Sequence, residues 1–200
     1  MENIGKAKVD ARAEALRRVK ALQSPSLKNR QQDFDFNLSC FLKKQKGCWS
    51  AYRSLAGEVS PALSIQNNSH IQWAYPKVKE KTLEFFLEPK SWVKGAFGVE
   101  EPADSNSKPL SIHDLDACLI PGLAFDRHGT RLGRGLGYFD RALEGFKGLK
   151  VGLTFKSQMF AEDLPRESFD IPMDVIITEQ EVILIHHHPN QVIKGEHGND

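Results

Sequence analysis

Two hundred residues with a net charge of +1 suit one domain with a substantial core, and they give no basic field for nucleic acid. Three cysteines, Cys40, Cys48 and Cys118, are odd in number and lack C-x-x-C spacing, which argues against a disulfide framework or a zinc site and fits a reducing compartment. No apolar run approaches the roughly 20 residues that cross a bilayer, and the opening stretch has no apolar core of a secretory signal, so a cytoplasmic chain without membrane partners is expected.

Residues 5–22 read as a first helix, with Val9, Leu16, Val19 and Leu22 as its apolar stripe. Lys8 and Arg12 are four apart and share a face, which on spacing alone is a solvated basic face. Ser24-Pro25 suits the start of a second helix, whose stripe is Phe34, Leu38, Phe41 and Leu42. Cys48–Tyr52 reads as a strand, with Arg53 and Glu58 just beyond it. His70–Pro76 and Thr82–Leu87 are two further strands, separated by the polar stretch 77–81, and residues 103–111 form a loop.

The richest stretch follows. Cys118-Leu119-Ile120 reads as the end of a buried strand, broken at Pro121-Gly122. Gly133, Gly135 and Gly137 then alternate, with Arg131 and Arg134 among them and a helix from Tyr138 to Leu143 behind. Bare N–H groups in such a loop can form an anion nest, and a helix N-terminus adds partial positive charge. The loop lacks the Gly-Lys-Ser/Thr of a Walker A motif and does not complete G-x-G-x-x-G. A tight connection with solvated arginines is the alternative on these residues alone. Lys150–Phe155 is a buried-strand pattern, and Asp174 stands immediately before the apolar run Val175-Ile176-Ile177. The polar stretch 186–200, with three consecutive histidines, is expected to lie outside a single domain spanning 1–185.

PGLAFDRHGTRLGRGLGYFDRAL resembles the signature of the 5-formyltetrahydrofolate cyclo-ligase (methenyltetrahydrofolate synthetase) family, and weaker matches run from residue 8 to residue 178. The resemblance implies a three-layer α/β sandwich with a mixed, mainly parallel central sheet, Rossmann-like, its 119–140 connection at the strands' carboxyl edge. It implies conversion of 5-formyltetrahydrofolate, with or without a polyglutamate tail, to 5,10-methenyltetrahydrofolate by a monomer that consumes ATP and uses Mg2+. Carried over residue by residue, Lys8, Arg12, Arg131, Leu132, Gly133, Arg134, Gly135, Leu136, Gly137, Tyr138 and Phe139 would meet ATP, with Arg134 and Arg12 catalytic. Arg53, Glu58 and the Arg134–Tyr138 stretch would meet the folate, Glu58 at the pterin, and Asp140 with Asp174 would hold magnesium. The chain departs from the family at Leu136, where many relatives have Lys or Gly, and at Phe139, where the family has a second tyrosine. Two other readings stay open: a non-catalytic folate-binding paralogue, favoured by Leu136, and a generic nucleotide-binding module.

Overall fold

Apolar runs without alternation belong to strands covered on both faces, and four such runs build the centre of this chain. The structure, a computed structural model, describes residues 3–21, 27–95, 98–103 and 108–185. Leu22, the Ser24-Pro25 cap, part of the 103–111 loop and the 186–200 stretch lie outside those residues. In chain order the strands are β1 (Cys48–Ser50), β2 (Gln72–Lys79), β3 (Thr82–Leu87), β4 (Trp92–Lys94), β5 (Glu100–Pro102), β6 (Ala117–Pro121), β7 (Ala124–Phe125), β8 (Arg131–Leu132), β9 (Leu149–Leu153), β10 (Val175–Ile177) and β11 (Val182–Leu184). The helices are α1 (Ile4–Ala21), α2 (Leu27–Leu42), α3 (Ala62–Gln66) and α4 (Tyr138–Ala142).

Among the described residues, seven strands form one sheet in the order β11-β10-β9-β6-β1-β2-β3. The pairs β10–β9, β9–β6, β6–β1 and β1–β2 are parallel, whereas the flanking pairs with β11 and β3 are antiparallel. Alternate residues feed opposite faces, as the period of two requires. Leu119, Val151, Val175 and Ile177 join Phe34, Leu38 and Trp49 on one face, while Cys118, Ile120 and Ile176 join Phe125, Leu143 and Phe146 on the other. The mixed, mainly parallel α/β sheet expected from the resemblance is the observed architecture.

Helix α1 differs from the expectation in its orientation. Val9 and Leu16 face solvent, at 59% and 42% exposure, and the buried residues are Lys8 and Ala15. Ala15 packs with Leu123, Ala124, Leu132 and Leu164, a small cluster where a small side chain lets the helix approach. The face read as solvated and basic is therefore the inward one. Two hairpins escaped the sequence reading, β4–β5 and β7–β8, both pairs of very short strands. Asp126 fastens the second: its carboxylate accepts from the N–H groups of His128, Thr130 and Leu164, each at 2.9 Å.

From β1 the chain passes to β2 on one side, and from β6 it passes to β9 on the other. Between β1 and β6 the direction of winding therefore reverses. Open α/β sheets bind ligands in the crevice at the carboxyl ends of such strands.

Candidate active site

A cleft of about 1010 Å³, open to solvent, lies at that crevice. Tyr52 and Arg53 beyond β1, with Pro121 at the end of β6 and Gly122 just after it, form its floor. Strand β2 runs past its last pairing with β1, Ser50↔Ala74, so Tyr75, Pro76 and Val78 stand above the sheet edge as one wall. Opposite is the glycine loop, which contributes Gly133, Arg134, Leu136 and Gly137, with Tyr138, Phe139 and Asp140 of α4 behind it. Gly135 and Gly137 have φ of 94° and 67°, so the loop depends on left-handed backbone that side chains resist. Helix α4 has only five residues, and the macrodipole expected behind the loop is correspondingly reduced to its own N–H groups.

Arg134 reaches across the cleft to Glu58. Its Nε and Nη2 both donate to Glu58 Oε1, at 3.2 and 3.1 Å, and the carboxylate's other oxygen accepts from the Leu55 N–H at 2.9 Å. The Glu58 side chain is 8% exposed and that of Arg134 is 39% exposed, so the carboxylate is the buried partner and the arginine the more exposed one. At the rim, Arg53 lies over the Trp92 ring, 4.7 Å from its centroid, and pairs with Glu100 at 2.6 Å. Tyr75 meets the same Trp92 edge-on at 4.9 Å. Burial raises the Tyr75 phenol's pKa, partly offset by Arg53. Leu136, 46% exposed, offers an apolar side chain to the cleft.

The loop's other side faces α1. Arg12 Nε donates to the Gly133 carbonyl at 3.1 Å, and the Arg12 guanidinium carbon lies 3.5 Å from where a Cβ on Gly135 would sit. Lys8, one turn away, is clasped by Glu167 at 2.7 Å and Asp170 at 2.5 Å. Burial opposes its charge, but hydrogen bonds to these two carboxylates outweigh it and raise its pKa. Asp170 and Glu167 are thus brought to α1 by the fold, and neither was among the site residues expected from the sequence. Arg131, at 5% side-chain exposure, pairs with Asp140 at 2.7 Å, and its Nε is buried with no hydrogen-bond partner. Leu132, expected at the nucleotide, is 2% exposed in the core, and its carbonyl is held by the Leu123 N–H. The thiol of Cys118 lies wholly within the sheet, pushed up to about 12 by burial, and takes no part in the cleft.

The sequence profile of the 5-formyltetrahydrofolate cyclo-ligase family matches residues 57–179. A 5-formyltetrahydrofolate cyclo-ligase of Haemophilus influenzae is 32% identical over 137 residues, covering 63% of this chain and 73% of that protein. This chain belongs to the 5-formyltetrahydrofolate cyclo-ligase family. The Escherichia coli K12 cyclo-ligase is 36% identical over 87 residues, about half (47%) of its length. Among solved structures, the Aquifex aeolicus 5,10-methenyltetrahydrofolate synthetase superposes with a TM-score of 0.74 at 31% identity, covering 96% of this chain and 99% of that one. The cyclo-ligase fold thus extends through α1, beyond the stretch matched by the profile.

One carried-over cyclo-ligase assignment does not fit the geometry. Asp140 lies at the cleft, but Asp174 accepts from the Lys150 N–H at 2.8 Å and from its ammonium at 2.7 Å, at the amino ends of β9 and β10. Lys150 pairs with Cys118, three residues before Pro121, so Asp174 lies roughly 10 Å down the sheet from the cleft floor. Each carboxylate has its own cation, and the two cannot share one magnesium ion. Among the described residues no group of three or more His, Cys, Asp and Glu side chains is placed to hold a metal. No described helix is long and apolar enough to cross a membrane.

Proposed function

We propose that this chain converts 5-formyltetrahydrofolate and ATP into 5,10-methenyltetrahydrofolate, ADP and phosphate. The observation that carries the reading is the shared wall: one glycine loop presents Arg134 to the cleft and takes Arg12 on its far side. A pterin in the cleft and a triphosphate along α1 would then meet at that loop. Glu58 suits the pterin's aminopyrimidine edge, since a carboxylate accepts two parallel N–H bonds. Arg12, Arg131 and Arg134 suit phosphate oxygens, and Arg131 brings a buried Nε–H with no other acceptor.

The chemistry asks little covalent help from the protein. The formyl oxygen attacks the γ-phosphorus and ADP leaves, giving a phosphate ester on an iminium carbon. N10 adds to that carbon and loses its proton, and phosphate departs with the carbon–oxygen bond. The side chains align the two substrates and hold the charge that develops on the transferring phosphoryl group. No step is assigned to a metal held by Asp140 and Asp174. The reading extends to a cytoplasmic monomer whose single domain spans residues 1–185, acting on mono- or polyglutamyl substrate and binding neither nucleic acid nor membrane.

Leu136 favours one rival, a paralogue that binds folate without turnover. Incubation with 5-formyltetrahydrofolate and ATP as its magnesium salt decides between them. The expected outcome is methenyl absorbance rising in step with ADP. Folate binding without either product would establish the paralogue, and ATP binding indifferent to folate would reduce the chain to a nucleotide-binding module.

A further inference from the structure

Glu58 has both oxygens engaged in this structure, one by Arg134 and one by the Leu55 N–H. Arg134 has its Nε and one terminal nitrogen committed to the same carboxylate. The two side chains on which folate and nucleotide recognition would rest are therefore bound to each other. Glu58 cannot accept a parallel pair of N–H bonds from a pterin without releasing Arg134, because Oε1 already accepts two bonds from the guanidinium.

We infer that Glu58 is a positioning residue for Arg134, and that exchange of this ion pair couples the two substrates: the pterin takes Glu58 and thereby releases Arg134 to the phosphate. The inference rests on the function proposed above. The exchange conserves hydrogen bonds. Donors on Glu58 pass from the guanidinium to the pterin's amino and ring N–H groups, and the acceptor of Arg134 passes from carboxylate to phosphate.

Burial makes the exchange directional. The carboxylate is 8% exposed and the guanidinium 39% exposed. A nucleotide that captured Arg134 alone would strand a buried carboxylate without its charged partner, which is costly. A pterin that captured Glu58 alone would leave Arg134 facing water, which is cheap. Folate binding first is thus the easier path, and it keeps Arg134 from engaging ATP before there is an acceptor for the phosphoryl group. The flanking residues Gly133 and Gly135 place no Cβ beside Arg134, so the side chain has room to swing.

The test is a binding cycle by calorimetry on the full chain, with a β,γ-imido analogue of ATP and 5-formyltetrahydrofolate, each measured with and without the other. Coupling between sites typically spans about 5–150-fold, and saturating folate is expected to tighten the nucleotide analogue by at least ~5-fold, with the same factor in reverse. Glu58→Gln keeps the shape and one acceptor but not the charge. In it the analogue alone is expected to bind more tightly than to the parent chain, and added folate to tighten it little further. A merely structural role for Glu58 would weaken both ligands and leave their coupling intact. Coupling that persists undiminished in Glu58→Gln, or is absent from the parent chain while both ligands bind, overturns the inference. Failure of the parent chain to bind either ligand would instead overturn the proposed function, and the inference with it.

Discussion

Arg134 projects from a loop whose neighbours on either side are glycines, and its guanidinium is the more exposed half of the Glu58 pair. Removing a donor aimed at developing transition-state charge typically costs ~10²–10³ in turnover. Arg134→Ala is therefore expected to lower kcat by about 10²–10³ while the fold persists, as read from methenyl absorbance and the circular dichroism melt. Unchanged turnover would show the loop's arginine to be a solvated side chain. Arg131 behaves differently, because at 5% exposure it depends on Asp140. Taking away one partner of a buried pair costs ~3–5 kcal/mol; since Asp140 is 25% exposed, Asp140→Asn is expected near the lower end, about 3 kcal/mol. A melting temperature equal to the parent's would show that the pair carries no stability. The resemblance singled out both Arg134 and Glu58, and the fold brings the two together at one cleft although they are 76 residues apart. Asp174 was misread, although its position held the answer. It immediately precedes a parallel strand, and the first residue of such a strand lies at the amino edge, away from the ligand crevice.

Helix α1 shows why an apolar stripe can point the wrong way. Its larger apolar residues Val9 and Leu16 face water, while Ala15 carries the contact with Leu123, Leu132 and Leu164. Close approach here is set by a small residue, and hydropathy alone gives alanine little weight. Lys8 is buried with it because Glu167 and Asp170, distant in sequence, supply the compensating charge. No local pattern could disclose those partners. Adding bulk at a packed site costs ~1–3 kcal/mol, so Ala15→Leu is expected to destabilise the fold by that amount, ~1–3 kcal/mol. Leu16→Lys, one residue on, should stay within about ±0.5 kcal/mol. Denaturant titrations of the two variants check the orientation directly, and the reverse ranking would refute it. The strands were easier. β3 matches its expected bounds, and β2 continues past Pro76 through the polar residues Lys77 and Lys79, which conceal a strand that rises above the sheet edge.

The whole molecule carries a charge in its interior that it does not need for the cleft. Asp35, 8% exposed on α2, is held above the ordinary carboxylate value of 3.8 by burial, with hydrogen bonds from Gln31 and Ser64 offsetting part of that effect. The folded chain therefore holds a proton on Asp35 at pH values where the unfolded chain has released it. Ionised Asp35 costs stability at neutral pH, and the cost is relieved as pH falls through the raised folded pKa toward 3.8. Asp35→Asn is expected to raise the melting temperature at pH 7, with the gain shrinking as pH approaches 4. A gain that stays constant with pH, or a loss at pH 7, would contradict this. The packing of α1 has a different consequence, one that concerns manufacture. Helix α1 rests on β8, on the Lys156–Gln158 turn and on carboxylates about 160 residues further along. A ribosome adding ~5–20 residues per second would deliver those partners roughly 10–30 s after the helix itself. Leu123 and Leu132, on which Ala15 packs, are made before Glu167 and Asp170, so Lys8 is the part of the helix that waits for its counter-charge until almost all of the described fold has been made.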